Sequence, residues 1–257
     1  MRGAIGVVVL LVALLLPSAA LAGTTLRVLF VGNSLTYYND LPSTFATLYQ
    51  AAAPDARIET ELLAQGGGRL RERLQDGVLA KLLAEHRYDV VVLQELGGLP
   101  LCPDDFPSCR DAPAALRESV ELVRAHGARA VWFATWQASP EAQRELSLRV
   151  RALSHSLQLE TVDIGAMLQR VSPTARTRLL HDDGHPDYLG TWLIAAALVD
   201  RLAQAPLPDS APPSCGWQWR DGALDARRPA SQQTTTRAPC HHPDDTQWRA
   251  LRAAIHP

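Results

Sequence analysis

Five short runs rich in β-branched and aliphatic residues punctuate the chain: Thr25 to Gly32, Ala56 to Leu63, Tyr88 to Gln94, Ala128 to Thr135 and Leu159 to Ile164. Each has the length of a strand. Between and after them, in Leu41 to Ala52, Arg69 to His86, Ala112 to His126, Glu141 to Leu157 and Leu189 to Gln204, apolar residues recur at three- and four-residue spacing with charged residues between. That is the period of amphipathic helices. Val28-Leu29-Phe30-Val31 and Val90-Val91-Val92-Leu93 are apolar at every position, so both faces of these strands should be covered, as in a parallel sheet between helical layers. The alternation predicts a doubly wound α/β fold, in which ligands bind beyond the carboxyl ends of the strands.

The two ends of the chain depart from this pattern. Arg2 is followed by an apolar run from Ala4 to Leu16, by Pro17 and then by Ala20-Leu21-Ala22, the small-x-small close of a cleavable secretory signal. The run is shorter than the roughly 20 apolar residues of a membrane-spanning helix. Residues 1–22 are therefore read as a signal peptide, with export to the periplasm or the medium and no stable membrane anchor after cleavage. The main domain is expected over residues 23–204. Beyond it, four prolines within Ala205 to Ser214 begin an extension, 205–257, rich in Pro, Ser and Thr. A short helix over Thr246 to Ile255, with Trp248 and Leu251 on one face, is expected to pack back on the body.

Composition narrows the range of functions. The 257 residues are 47% hydrophobic and 20% charged with a formal net charge of −2, ordinary values for a globular protein. No basic run marks a phosphate-binding face, so nucleic acid is not an expected partner. A monomer is expected. The four cysteines suit an exported chain, and pairings of Cys102 with Cys109 and Cys215 with Cys240 are favoured because each brackets one loop-like stretch. No C-x-x-C occurs, which weighs against a zinc site.

Residues with chemistry to offer cluster just after the strands. The first strand ends in Gly32-Asn33-Ser34-Leu35-Thr36, which puts Ser34 at the carboxyl edge of the sheet, a nucleophile's position as well as a helix cap's. Near the other end, His181-Asp182-Asp183-Gly184-His185-Pro186-Asp187 precedes a helix. Asp182 and His185 are three apart and would face each other on one helical turn, so the carboxylate could hold the imidazole and leave its second nitrogen as a general base for a serine. Asp183 is the fallback for the acid. A metal site from His181, Asp183 and His185 is the weaker alternative. Acyl transfer also needs donors for the developing oxyanion, each worth about 3 to 4 kcal/mol in well-studied enzymes. Gln65-Gly66-Gly67-Gly68-Arg69-Leu70, after the second strand, offers backbone N–H groups, and Gln94, at the end of the third, offers a side-chain amide.

Taken together and in this order, these blocks resemble the SGNH, or GDSL-like, hydrolase family over about residues 25–204. The resemblance rests on Gly32-Asn33-Ser34-Leu35-Thr36, the glycines around Gly67, Val91-Val92-Leu93-Gln94-Glu95, and Asp182-x-x-His185-Pro186 followed by Gly190. Asn33 stands where many members have Asp, and Gln94 where many carry the oxyanion Asn. The resemblance implies a flavodoxin-like three-layer α/β/α sandwich with a five-stranded parallel sheet, and an esterase without metal or organic cofactor. It further implies a triad of Ser34, Asp182 and His185, with an oxyanion hole from Ser34, Gly67 and Gln94. Gly66 is the alternative to Gly67.

The expected substrate is a small-molecule or glycan ester, with a short acyl group such as acetyl on a carbohydrate or envelope glycan. An acyltransferase on the same scaffold and a glycan-binding module without catalysis are the competing readings. The loop from Gly97 to Asp111 should overhang the site. Trp136, after the fourth strand, is a packed core residue or a stacking platform for a sugar.

Overall fold

The computed structural model describes residues 25–99, 107–203, 205–219 and 235–256. The expected signal segment 1–22, Cys102 with its pairing to Cys109, and most of the loop after the third strand lie outside the described residues. Strands β1 (Thr25–Gly32), β2 (Arg57–Ala64), β3 (Val90–Leu93), β4 (Arg129–Ala134) and β5 (Glu160–Asp163) form one all-parallel sheet in the order β2-β1-β3-β4-β5. The expected flavodoxin-like three-layer sandwich is the observed one.

Period-two alternation divides the apolar strands between two cores. Val28, Phe30, Val90, Val92, Val131 and Phe133 face one layer, built from α2 (Leu41–Ala52), α7 (Ile164–Arg170) and α9 (Tyr188–Leu202). Leu29, Val31, Val91, Leu93 and Trp132 face the other, built from α3 (Leu70–Gln75), α4 (Val78–Glu85), α5 (Pro107–Ala125) and α6 (Pro140–Leu157). Because all four residues of β3 are buried, its run of valines has no solvent face to alternate with.

Three local features differ from the pattern expected. Arg69 to His86 is two helices, because Gly77 takes a left-handed φ of +70° that breaks the turn between α3 and α4. Helix α5 starts at Pro107 rather than Ala112. Two one-turn helices, α1 (Ser34–Tyr37) and α8 (Pro173–Arg176), were too short to show a period.

The described parts of the extension are packed on the body. Helix α10 (Asp245–Ile255) buries Trp248 completely, edge-on to Trp192 of α9 with ring centroids 5.9 Å apart, and the Trp248 indole donates to the Pro208 carbonyl at 2.8 Å. Strands β6 (Ser214–Trp219) and β7 (Thr235–His241) pair antiparallel, with Cys215 opposite Cys240 and bonded to it, as favoured from the spacing. Among the described residues no helix is long and apolar enough to cross a membrane.

The topology fixes where the site lies. From β1 the chain steps to one side, to β2, and then crosses to the other side, to β3, so the carboxyl ends of β1 and β3 border the switch point. Their parallel registers, Gly32 beside Ala64 and Val31 beside Leu93, bring the segments after all three strands to one edge.

Candidate active site

Ser34 opens α1 immediately after β1. Asn33, fully buried, shapes this turn: its Oδ1 accepts the Leu35 N–H at 3.1 Å, and its carbonyl accepts the Thr36 N–H at 2.9 Å. The Ser34 N–H has no partner among the described residues. Across the edge, Gln65 to Gly68 turns back on itself through a Gly68 N–H to Gln65 carbonyl bond of 3.0 Å. Gly67 sits in that turn at φ +65°, lines the same cleft as Ser34, and likewise has an N–H without a partner among the described residues. The Asn33 Nδ2 donates to the Gly68 carbonyl at 3.0 Å and ties the two turns together.

The histidine comes from a tight loop before α9. Leu180 and Pro186 form a β-bridge, the His181 N–H donates to the His185 carbonyl at 2.8 Å, and Gly184 bends the loop at φ +83°. Gly190 lets α9 approach this loop, since a Cβ there would collide with the Leu179 carbonyl oxygen. The loop carries His185 to Ser34, with Nε2 2.8 Å from Oγ. A proton on Nδ1 leaves the Nε2 lone pair free to accept from the serine hydroxyl, which is the arrangement of a general base.

The acid departs from expectation. The carboxylate beside Nδ1 is Asp183, with Oδ2 3.0 Å away, whereas Asp182 is exposed and makes no hydrogen bond or ion pair among the described residues. Facing at a spacing of three holds on a helix, but α9 begins only at Tyr188. In the turn that replaces it, Asp183 Oδ1 accepts the His185 N–H at 3.0 Å, and this brings its second oxygen to the ring. That oxygen lies off the ring N–H axis, so the contact is an ion-pair approach without full hydrogen-bond alignment. The His185 N–H, and then the ring, hold the Asp183 carboxyl below the ordinary carboxylate range. Catalytic hydrogen bonds of this kind often tighten only when substrate binds.

Gln94 departs as well. It is buried behind the serine turn, where its Oε1 accepts the Asn33 N–H at 2.9 Å and the Thr36 hydroxyl at 2.8 Å, while Nε2 donates to the Glu95 carbonyl at 2.6 Å. Gln94 does not line the cleft, so it braces the nucleophile turn from behind. Gly32 makes room for this, because a Cβ there would fall 2.5 Å from Gln94 Oε1.

Ser34, His185 and Gly67 open onto a cleft of about 730 Å³. Leu35, Leu168 and Leu180 supply apolar wall, and Gln137, Gln169, Thr177 and Arg176 supply polar groups. Trp136 lines the cleft too but is only 8% exposed, and its indole donates to the Gly184 carbonyl at 3.1 Å. The packed reading is the one observed, and the ring also touches the loop that bears His185.

Two further groups carry no sequence signal of their own. Tyr38 stacks on the His185 ring, centroids 4.4 Å apart and planes at 19°. Glu95, 3% exposed, accepts from the Leu96 N–H at 2.7 Å and the Leu70 N–H at 3.4 Å, and burial pushes its carboxyl up to about 7. A glutamate after a strand reads as a solvent-facing residue, and its burial beside the start of α3 is visible only in the fold. Among the described residues no group of three or more His, Cys, Asp or Glu side chains is arranged to hold a metal ion.

No protein-family model matches the chain, and no curated protein does. Solved structures do. A protein from Slackia heliotrinireducens described as a candidate SGNH hydrolase superposes with a TM-score of 0.57 at 25% identity, covering 69% of this chain and 99% of that one. An acetylxylan esterase from Geobacillus stearothermophilus gives a TM-score of 0.54 at 18% identity, covering 70% and 95%. A protein from Parabacteroides merdae described as a candidate GDSL-like lipase gives 0.54 at 17%, covering 70% and 96%. The sheet order and flanking helices described above are accordingly those of the SGNH hydrolase fold.

Proposed function

We propose that the protein is an exported serine esterase that removes a short acyl group, such as acetyl, from a carbohydrate or envelope glycan. The observation that carries this reading is the 2.8 Å approach of His185 Nε2 to Ser34 Oγ at the mouth of the cleft. A binding module would have no need of that contact.

In this mechanism Ser34 Oγ attacks the ester carbonyl carbon while Nε2 takes the hydroxyl proton. The carbonyl oxygen becomes an oxyanion and is met by the Ser34 and Gly67 N–H groups, which line the cleft without a partner among the described residues. The C–O bond to the alcohol then breaks, and the leaving oxygen takes the proton back from Nε2. Water attacks the acyl-serine, gives its proton to Nε2, and releases the carboxylic acid as the serine oxygen regains that proton. Asp183 is assigned the orienting role, keeping the Nδ1 proton in place and balancing the imidazolium.

The acetyl and glycan parts of the reading are supported by the likeness to an acetylxylan esterase and by the amides and indole that line the cleft. Export is supported by the Cys215–Cys240 bond and the leader read in the sequence.

The test is intact-mass analysis after treatment with a fluorophosphonate, run beside Ser34→Ala, followed by turnover of acetylated sugars and of aryl acetate. One adduct on the wild type and none on the variant is expected, with acetate released. A folded wild type that takes no adduct and releases no acetate overturns the reading.

A further inference from the structure

Resting on the reading of Ser34 and His185 as the reacting pair, we propose that the disulfide-closed C-terminal hairpin is a positioning element for His185. It acts by clamping the Tyr38–Asp40 turn whose Tyr38 ring stacks on the imidazole.

The turn is held from outside. Asn39 and Asp40 both take φ +51°, two successive non-glycine residues in the left-handed region. Such a conformation persists only where its surroundings over-determine it. One set of restraints comes from the histidine's own loop: Asn39 Nδ2 donates at 3.0 Å to the carbonyl of Pro186, the residue after His185, and at 3.0 Å to Thr191 Oγ1 in α9. The other comes from the hairpin. The Asp40 carboxylate, almost fully buried, accepts the Trp217 N–H at 2.7 Å as well as the Ser43 hydroxyl at 2.6 Å and the Ser43 N–H at 3.2 Å.

The hairpin is shaped for this contact. The ladder slips between Cys215 and Trp217, and this irregularity leaves the Trp217 N–H to Asp40. Gly216, inside it, has no room for a side chain, because a Cβ would lie 2.7 Å from the Asp40 Cβ. The disulfide closes the ladder at the preceding residue. A second contact runs from the other strand: His241, next to Cys240, packs on Tyr188, three residues beyond His185, with centroids 4.6 Å apart. The hairpin therefore touches both segments whose relative placement sets the Ser34 to His185 distance.

Four variants test this: Tyr38→Ala, Tyr38→Phe, Gly216→Ala, and the double change of Cys215 and Cys240 to Ser. Each is checked for folding by near-UV circular dichroism, then measured for kcat and KM on aryl acetate and for the rate of fluorophosphonate labelling. Tyr38→Ala should lower kcat and the labelling rate at least 10-fold with KM changed less than two-fold, and Tyr38→Phe should restore both to within two-fold. Gly216→Ala, which moves the hairpin off Asp40 but keeps the disulfide, and the double serine variant should each lower kcat about five-fold at unchanged KM.

Folded hairpin variants that label at the wild-type rate overturn the proposal, as does a Tyr38→Ala change confined to KM, which would make Tyr38 a substrate contact. If the double serine variant does not fold, Gly216→Ala decides alone. Loss of labelling in the wild type itself would instead overturn the esterase reading, and this one with it.

Discussion

The Asn33 side chain donates to the Gly68 carbonyl at 3.0 Å, and this bond ties together the turns that carry the Ser34 and Gly67 N–H groups at the carboxyl edge of the sheet. Asn33 also caps the serine turn through Leu35, so a single side chain determines the shape of one turn and the distance to the next. Asn33→Ala leaves the buried Gly68 carbonyl and the partly buried Leu35 N–H without these partners, a cost of about 1 to 3 kcal/mol for the buried group. Removing one oxyanion donor costs about 100- to 1000-fold in other enzymes. Asn33→Ala is expected to lower the melting temperature and to lose at least 100-fold in kcat, measured by thermal denaturation and by turnover of aryl acetate.

The acid is tested by a pair of variants. Asp183 contacts Nδ1 and Asp182 does not, so Asp183→Asn should lower kcat by about 100-fold or more while Asp182→Asn stays within about three-fold of wild type. Asn can still accept the His185 N–H, so the turn should survive and the loss should be one of charge and tautomer. An equal or larger loss in Asp182→Asn would mean that the loop rearranges when substrate binds.

These particulars also mark how far the sequence could be read. Ser34, Gly67 and His185 were legible because a doubly wound sheet delivers the segments after β1 and β2 to one edge, and because backbone donors and a loop histidine need no side-chain direction to be guessed. The choice between Asp182 and Asp183 turns on Gly184 at φ +83°, which replaces the helical facing rule with a turn. Gln94 lies where expected in the chain, yet its amide lies behind the serine, in room left by the missing Cβ of Gly32, a contact between β1 and the segment after β3. The hairpin was illegible for another reason. Ser214–Trp219 alternates, with Cys215, Trp217 and Trp219 on one side, but its partner Thr235–His241 does not, and the two are aligned by a covalent bond between residues 25 apart.

Glu95 predicts a slope of stability with pH. Burial raises its carboxyl from about 4.5 to about 7, so between these values the folded protein keeps a proton that the unfolded chain releases. The contribution to stability is full below about pH 4.5 and is lost as pH rises through about 7, by up to about 3 kcal/mol. Glu95→Gln keeps an acceptor for the Leu96 and Leu70 N–H groups and removes the titration. Urea denaturation at pH 5, 6, 7 and 8 should show the stability of the wild type falling relative to that of Glu95→Gln, and parallel curves would contradict the assignment.

Trp136 is where packing and substrate contact can be separated. Its indole N–H holds the Gly184 carbonyl at 3.1 Å, one residue from both Asp183 and His185, and little of the ring is exposed. If its main work is to fix that loop, Trp136→Phe removes the donor while keeping an aromatic wall in the cleft. The carbonyl it leaves is partly solvated, so the stability cost should stay near 1 kcal/mol. A displaced His185 weakens proton transfer in the transition state more than it weakens binding, so kcat should fall several-fold with KM nearly constant. A sugar-stacking role predicts the opposite division, a raised KM for acetylated oligosaccharides and no change for aryl acetate. Measuring both substrates on Trp136→Phe and Trp136→Ala distinguishes the two, and the 3.1 Å bond favours the first.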